Sequence, residues 1–518
     1  MIRAWLSRGA RLAGAGGSGR AVLVAQLAAM LAGVLLLGLK WSSVRDAVIA
    51  LDHGEELFAD FVHHYYPTVR DSLREGTPVG GFFYPAGFAV LIAPLGWLSL
   101  GGATTVWAVI ELGCVVWAAT RLVRAASPDR ALLAVLGAAI TVTSVPVLHN
   151  LKWGQVSILI LATTSAAFIA HARGKRALAA VLLGVATGIK GYPLVFLAWF
   201  AAKGDLRFVL RAGAACAFTL VVLPLLVMGP SHALFFQRVT SGAVLGAADG
   251  VLRDFNSQYA PALLSRFYVG GWDAAPPEVI AWSELGSYAA ISGVLVLVLI
   301  AARSTAPGIA SRRDLLGFVL IACTVPFWLR TSWSHYFVHL PVAQTLLAGA
   351  FAREPRARAA LAIAVLVAPS VYLSSVLGLF ATAGWWYYAN AGSLFFANAL
   401  VLAAAAAYVV DAHLREGASL VSTALSSARA WTKSLRRGQG AFATSAGVRS
   451  DDMEQDRRGQ PDDQRREQDA DERDREHEVR SDARPTAAHL RAGRAPALVD
   501  AGEANTGPER HDERREER

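Results

Sequence analysis

Apolar runs recur from about Ala21 to Val410, separated by short basic clusters, and most approach the length of a membrane-spanning helix. Beyond Arg449 the pattern inverts. Asp, Glu, Arg and Gln dominate there, and no aromatic residue follows Phe442. Such a segment cannot bury enough apolar area to offset chain entropy. The expectation is an all-α polytopic membrane protein with a disordered, dispensable tail. Its parts are a cytoplasmic N-terminus (1–20), a transmembrane domain (21–411), a cytoplasmic juxtamembrane linker (412–448) and the charged tail (449–518).

Composition agrees. The 518 residues are 54% apolar and 17% charged, which rules out a string of soluble domains. The net charge of +9 bears on orientation and lipid contact, and no nucleic-acid partner is expected. Cys114, Cys216 and Cys323 lie far apart in apolar segments, with neither a disulfide framework nor metal-ligand spacing.

Orientation follows from the basic clusters. Arg3, Arg8, Arg11 and Arg20 precede the run Ala21–Leu39. That run is long for a signal peptide, and Lys40-Trp41 is a poor cleavage site, so a retained first helix is expected. Later clusters fall at Arg121/Arg124/Arg130, Arg173/Lys175/Arg176, Lys203/Arg207/Arg211, Arg303/Arg312/Arg313 and Arg353/Arg356/Arg358. If all are cytoplasmic, an even number of crossings separates each neighbouring pair. Ala177–Ala202 satisfies this only as two short helices meeting at Gly188-Ile189-Lys190-Gly191-Tyr192-Pro193. The Tyr84–Leu100 segment, with Pro85 and Pro94, is the candidate for an interfacial or re-entrant helix. The count comes to about twelve crossings, with both termini inside.

All the polar residues set in apolar surroundings then face outward. They are the acidic loop before Tyr84, His149–Gln155, Lys190, Asp254–Tyr259 and Arg330–His335. Ionisable groups at membrane depth are costly and usually functional, so one shared outer cavity is expected.

The densest titratable cluster outside the tail is the first outside loop, with Asp52, His53, Glu55, Glu56, Asp60, His63 and His64. In a helix Asp60 and His64 share a face. A metal site, a solvated surface helix and a carboxylate base at the membrane surface all fit this loop. No closed metal-ligand pattern occurs, and the expectation is no metal and no cofactor. Asn150 and Gln155 read as groups that satisfy helix ends. The run Trp385-Trp386-Tyr387-Tyr388 reads as an interfacial aromatic belt.

DFVHHYYPTVRDSLREG (Asp60–Gly76) and FYPAGFAVLIAPLG (Phe83–Gly96) resemble the opening of glycosyltransferase family 87. So do WGQVSILIL (Trp153–Leu161), GIKGYPLVFL (Gly188–Leu197) and SWSHYFVHLP (Ser332–Pro341), in the same order. Ala86 departs from the pattern, where a second Pro is usual. The resemblance implies a GT-C-type fold and inverting transfer of a hexose, mannose above all, or a pentose. The donor would be a polyprenyl-phosphate sugar in the bilayer, and the acceptor a hydroxyl of a cell-envelope glycan or glycolipid. It further implies Asp60 as general base. Lys190, Arg330, His335, Lys152 and Tyr84 would serve the donor phosphate, in a plasma-membrane enzyme with its site on the outer face. A transporter or lipid-carrier translocase is the rival class, since broken helices and a buried Lys suit it equally. The polar cluster on one side only, with no matching break in a second half, argues against transport.

Overall fold

The computed structural model describes residues 58–414, apart from 74, 127–130, 251–253, 255, 270–274, 305–308, 310–311, 352–355 and 374–384. The chain divides into two units, Met1–Arg436 and Arg437–Arg518, and every described residue lies in the first. The expected first helix, Asp52, His53, Glu55, Glu56, the linker from residue 415 and the tail lie outside the described residues.

Among the described residues the fold is helical, with no strand. Four helices are long and apolar enough to cross a membrane: Leu100–Leu122, Leu206–Met228, Pro277–Arg303 and Ser393–Leu414. Large apolar side chains on them stand uncovered by protein, such as Val109 at 65% and Leu226 at 74% exposure. Lipid is the solvent that suits such faces.

The chain enters the site through two π-helical turns, Phe61–Tyr65 and Thr68–Ser72. Helix α1 (Ala86–Ile92) follows and tightens into a 3-10 turn, Ala93–Trp97, where Pro94 removes a backbone donor. Together they fall short of the roughly 20 residues needed to span, as expected of an interfacial or re-entrant segment. Helix α1 packs tightly on the Phe218–Val222 turn. A Cβ on Gly87 would collide with the Thr219 carbonyl oxygen, so glycine permits that approach.

Four consecutive helices frame the site: α2 (Leu100–Ala126), α3 (Ala131–Val142), α4 (Val145–Trp153) and α5 (Ser157–Ala172). Helix α4 ends at Gly154 in the left-handed conformation, φ 65°. Its closing turn is held by Gly154 N–H to Leu151 O at 3.2 Å and Gln155 N–H to Asn150 O at 3.0 Å. Helix α6 (Arg176–Ile189) stops at Lys190. The chain then re-forms as a 3-10 turn, Tyr192–Phe196, and a short helix, Leu197–Ala202. This is the break expected from Gly188, Gly191 and Pro193.

Buried aromatics pack below the break. Phe168 meets Phe196, Phe200 and Phe318 at ring separations of 5.8, 5.3 and 5.3 Å. At the far end of α5, His171 lies 3.7 Å from Asp205 and 3.5 Å from Asp314. Asp314 also accepts from Trp199 at 2.9 Å and from Lys203 at 2.6 Å. The two ends of α5 thus carry different polar groups, about 24 Å apart for its length. Ser157 touches the Lys190 region at one end, and the basic clusters gather at the other. Tyr388, assigned from sequence to an aromatic belt, is buried and donates its hydroxyl to the Tyr372 carbonyl. It packs inward because that buried hydroxyl finds its acceptor there.

Candidate functional site

Asp60 immediately precedes the first π-turn and is partly buried. One of its carboxylate oxygens accepts the side-chain N–H of Gln155, 95 residues away. Gln155 is the hub. Its carbonyl oxygen accepts the Tyr84 hydroxyl at 2.5 Å and lies 3.4 Å from the Lys190 ammonium. Tyr65 donates to the Tyr84 hydroxyl at 2.8 Å. Asp60, Tyr84 and Lys190 therefore meet through one amide that the sequence reading assigned to a helix end. Its backbone does close α4, while its side chain connects the cluster.

Lys190 is buried at the end of α6, 9% exposed, with no ion-pair partner among the described residues. It donates to Ser157 Oγ at 3.2 Å and Tyr84 at 3.3 Å, toward the long end of hydrogen bonding. It also lies 4.0 Å from the centroid of the Tyr336 ring. Its hydrogen bonds all go to neutral oxygens, and the Asp60 carboxylate acts on it from beyond ion-pair distance.

Tyr84, Gln155 and Lys190 line a cavity of about 230 Å³ together with Trp333, His335 and Tyr336, while Asp60 stands behind Gln155, outside the cavity wall. His335 is 4% exposed, and its Nδ1 lacks a hydrogen-bond partner among the described residues. Burial, with Lys190 and His149 nearby, pushes its imidazole well below the ordinary range. His335 therefore offers a neutral N–H. The Trp333 indole donates to Asp254 at 2.6 Å, fixing the wall beside His335.

Arg330 and Lys152 lie apart from the cavity wall. Arg330 is exposed and pairs with Glu284 at 3.2 Å; Lys152 is exposed and lies 6.0 Å from the Trp153 ring. His64 shares the helical face of Asp60 as expected and bonds Gly80 O at 2.6 Å through Nδ1. Asp60 itself is raised above the ordinary carboxylate value. Desolvation is the main cause, and His64, Lys190, the Gln155 hydrogen bond and His63 oppose it. Among the described residues no three or more His, Cys, Asp or Glu side chains are placed to hold a metal.

The sequence assigns Gln155 to a helix end and does not single out Ser157, Tyr65 or Tyr336. The available signal was the break after Gly154, which puts Gln155 and Ser157 at a helix entrance facing the Lys190 break.

Comparison with known proteins bears on the same region. The chain is 27% identical over 284 residues to a polyprenol-phosphate-mannose-dependent alpha-(1-2)-phosphatidylinositol mannoside mannosyltransferase of Mycolicibacterium smegmatis. The alignment covers 50% of this chain and 60% of the relative. No solved structure matches. The model of glycosyltransferase family 87 matches residues 82–332, a span that contains Tyr84, Gln155 and Lys190 and leaves out Asp60, Trp333 and His335. With much of the buried cluster inside that span, the chain is similar to glycosyltransferase family 87 over just under half of its length.

Proposed function

We propose that the protein is an integral membrane glycosyltransferase of the GT-C type, with about twelve crossings and its site on the outer face of the plasma membrane. It transfers a hexose from a polyprenyl-phosphate donor to a hydroxyl of a cell-envelope glycan or glycolipid, with inversion. Mannose is favoured because the relative is named for a polyprenol-phosphate-mannose donor. The observation that carries this reading is the joining of a carboxylate, Asp60, to a buried ammonium, Lys190, through Gln155 and Tyr84.

The chemistry needs each half of that pair. Asp60 accepts the acceptor hydroxyl's proton as its oxygen attacks the anomeric carbon. The bond from that carbon to the phosphate oxygen breaks, and polyprenyl phosphate departs with the electron pair. Lys190 meets the charge that develops on the phosphate, and the neutral His335 N–H supplies a further hydrogen bond. The cavity is smaller than the roughly 300–1,000 Å³ common for drug-sized ligands, which suits one sugar ring with the lipid chain outside. Arg330 and Lys152, exposed beyond the wall, suit an earlier role in drawing the anionic donor toward the cavity.

The direct test is the purified protein in lipid, supplied with labelled polyprenyl-phosphate mannose or arabinose and a glycolipid acceptor, with products read by mass. A mannosylated product is expected. A protein that moves the intact donor across the bilayer without transfer is a translocase, and the reading is wrong.

Orientation has its own test in a cysteine-free background. Ser241→Cys, on an exposed position of the Pro230–Gly250 helix, should react with an impermeant thiol reagent added outside. Lys175→Cys, at the opposite end of α5 and α6, should not. The reverse labelling puts the site in the cytoplasm.

A further inference from the structure

Glu111 lies midway along the Leu100–Leu122 span of α2 and is fully buried, at 0% exposure. A carboxyl group in an apolar helix is expensive, and such residues usually serve a function. Its Oε1 accepts the Asn150 side-chain N–H at 3.0 Å, while Oε2 has no hydrogen-bond partner among the described residues. Asn150 is equally buried. Stability alone accounts poorly for this pair, since apolar residues of similar size in place of buried polar partners are often neutral or better.

What the pair holds is informative. Trp107 lies one helical turn before Glu111 on the same face of α2, and its indole donates to Gly154 O at 3.0 Å. Helix α2 thus grips the closing turn of α4 at two points, Asn150 and Gly154. The Asn150 carbonyl in turn accepts the Gln155 N–H at 3.0 Å. The gripped turn ends on the residue whose side chain bonds Asp60 and Tyr84.

We propose that Glu111 is a positioning residue for transfer: through Asn150 it holds the α4 turn so that Gln155 keeps Asp60 and Tyr84 in register. The proposal rests on the reading of Asp60 and Lys190 as the transfer site. A turn free to shift by about 1 Å can cost on the order of a hundredfold in rate, because the base is then misplaced. Binding of the donor, which depends on Lys190, changes little.

Glu111→Leu should lower kcat by up to about a hundredfold with KM for the donor within a few-fold. Glu111→Gln should restore most of the loss, since its amide oxygen can accept from Asn150. In a Gln155→Ala background, Glu111→Leu should add little. Asn150→Leu removes the same hydrogen bond from the other side and should reproduce the Glu111→Leu effect. Glu111→Gln as damaging as Glu111→Leu, or a fully additive loss in the Gln155→Ala background, overturns the proposal.

Amide hydrogen exchange of the protein in lipid supplies a readout independent of turnover. Exchange across Asn150–Ser157 should quicken in Glu111→Leu and Asn150→Leu and remain native in Glu111→Gln. Unchanged exchange in both Leu variants also overturns the tether. If the wild-type protein transfers no sugar, the functional reading fails, and the exchange comparison still decides whether Glu111 holds the turn.

Discussion

Asp60→Asn is expected to slow sugar transfer by roughly two to four orders of magnitude, the usual worth of a positioned base. The substitution keeps the shape of the side chain. An Asn oxygen at this position can still accept the Gln155 N–H that Asp60 accepts now, so the hub should survive. What disappears is basicity, and the loss should fall on kcat with donor affinity little changed. The pH profile gives a second reading of the same residue. Burial raises Asp60 above the ordinary carboxylate value near 4, despite the opposing effects of His64, Lys190, Gln155 and His63. The base works only once deprotonated, so activity should rise with pH through a limb displaced upward from that value. The limb should vanish in Asp60→Asn. Near-normal turnover in this variant, with the limb intact, removes Asp60 as the base.

Lys190→Ala should act on the other half of the reaction. The ammonium is buried beside Tyr84 and Tyr336 and makes no direct ion pair among the described residues, so its donors are open to an anionic phosphate. Hydrogen bonds to charged groups contribute roughly 1.5–3 kcal/mol, which corresponds to about a ten- to hundredfold loss of donor affinity. Turnover should fall too, because the charge on the departing phosphate grows in the transition state. Lys190→Arg should not rescue it. A planar guanidinium does not replace a compact ammonium packed between Ser157, Tyr84 and a ring 4.0 Å away. Arg330→Ala should weaken the donor far less, since Arg330 is exposed and already paired with Glu284. Donor titration of the three folded variants separates these outcomes. Equal affinity of Lys190→Ala and the wild-type protein assigns the phosphate elsewhere.

The sequence by itself determined the features that depend on local composition. Apolar length gives membrane helices, because a helix in lipid satisfies its own backbone and must be apolar for its whole length. The interruption at Lys190 was legible because Gly188, Gly191 and Pro193 weaken or remove helical hydrogen bonds within one turn. Asp60 was legible as a carboxylate in a titratable loop. The tertiary structure alone decided which of these groups act together. Gln155 looks like an ordinary helix-end amide until Asp60, 95 residues away, and Lys190, 35 residues away, meet its two ends. His335 reads from the sequence as a group for the donor phosphate, while the burial that pushes its imidazole below the ordinary range is a property of the packed fold. Arg330 and Lys152 carry charges as prominent in sequence as Lys190. Exposure separates them, because water and Glu284 satisfy Arg330, while the interior leaves Lys190 without an ion-pair partner among the described residues. Glu111 did leave a signal, one acid inside an apolar run. Its meaning waited on the turn of α4 folding against it.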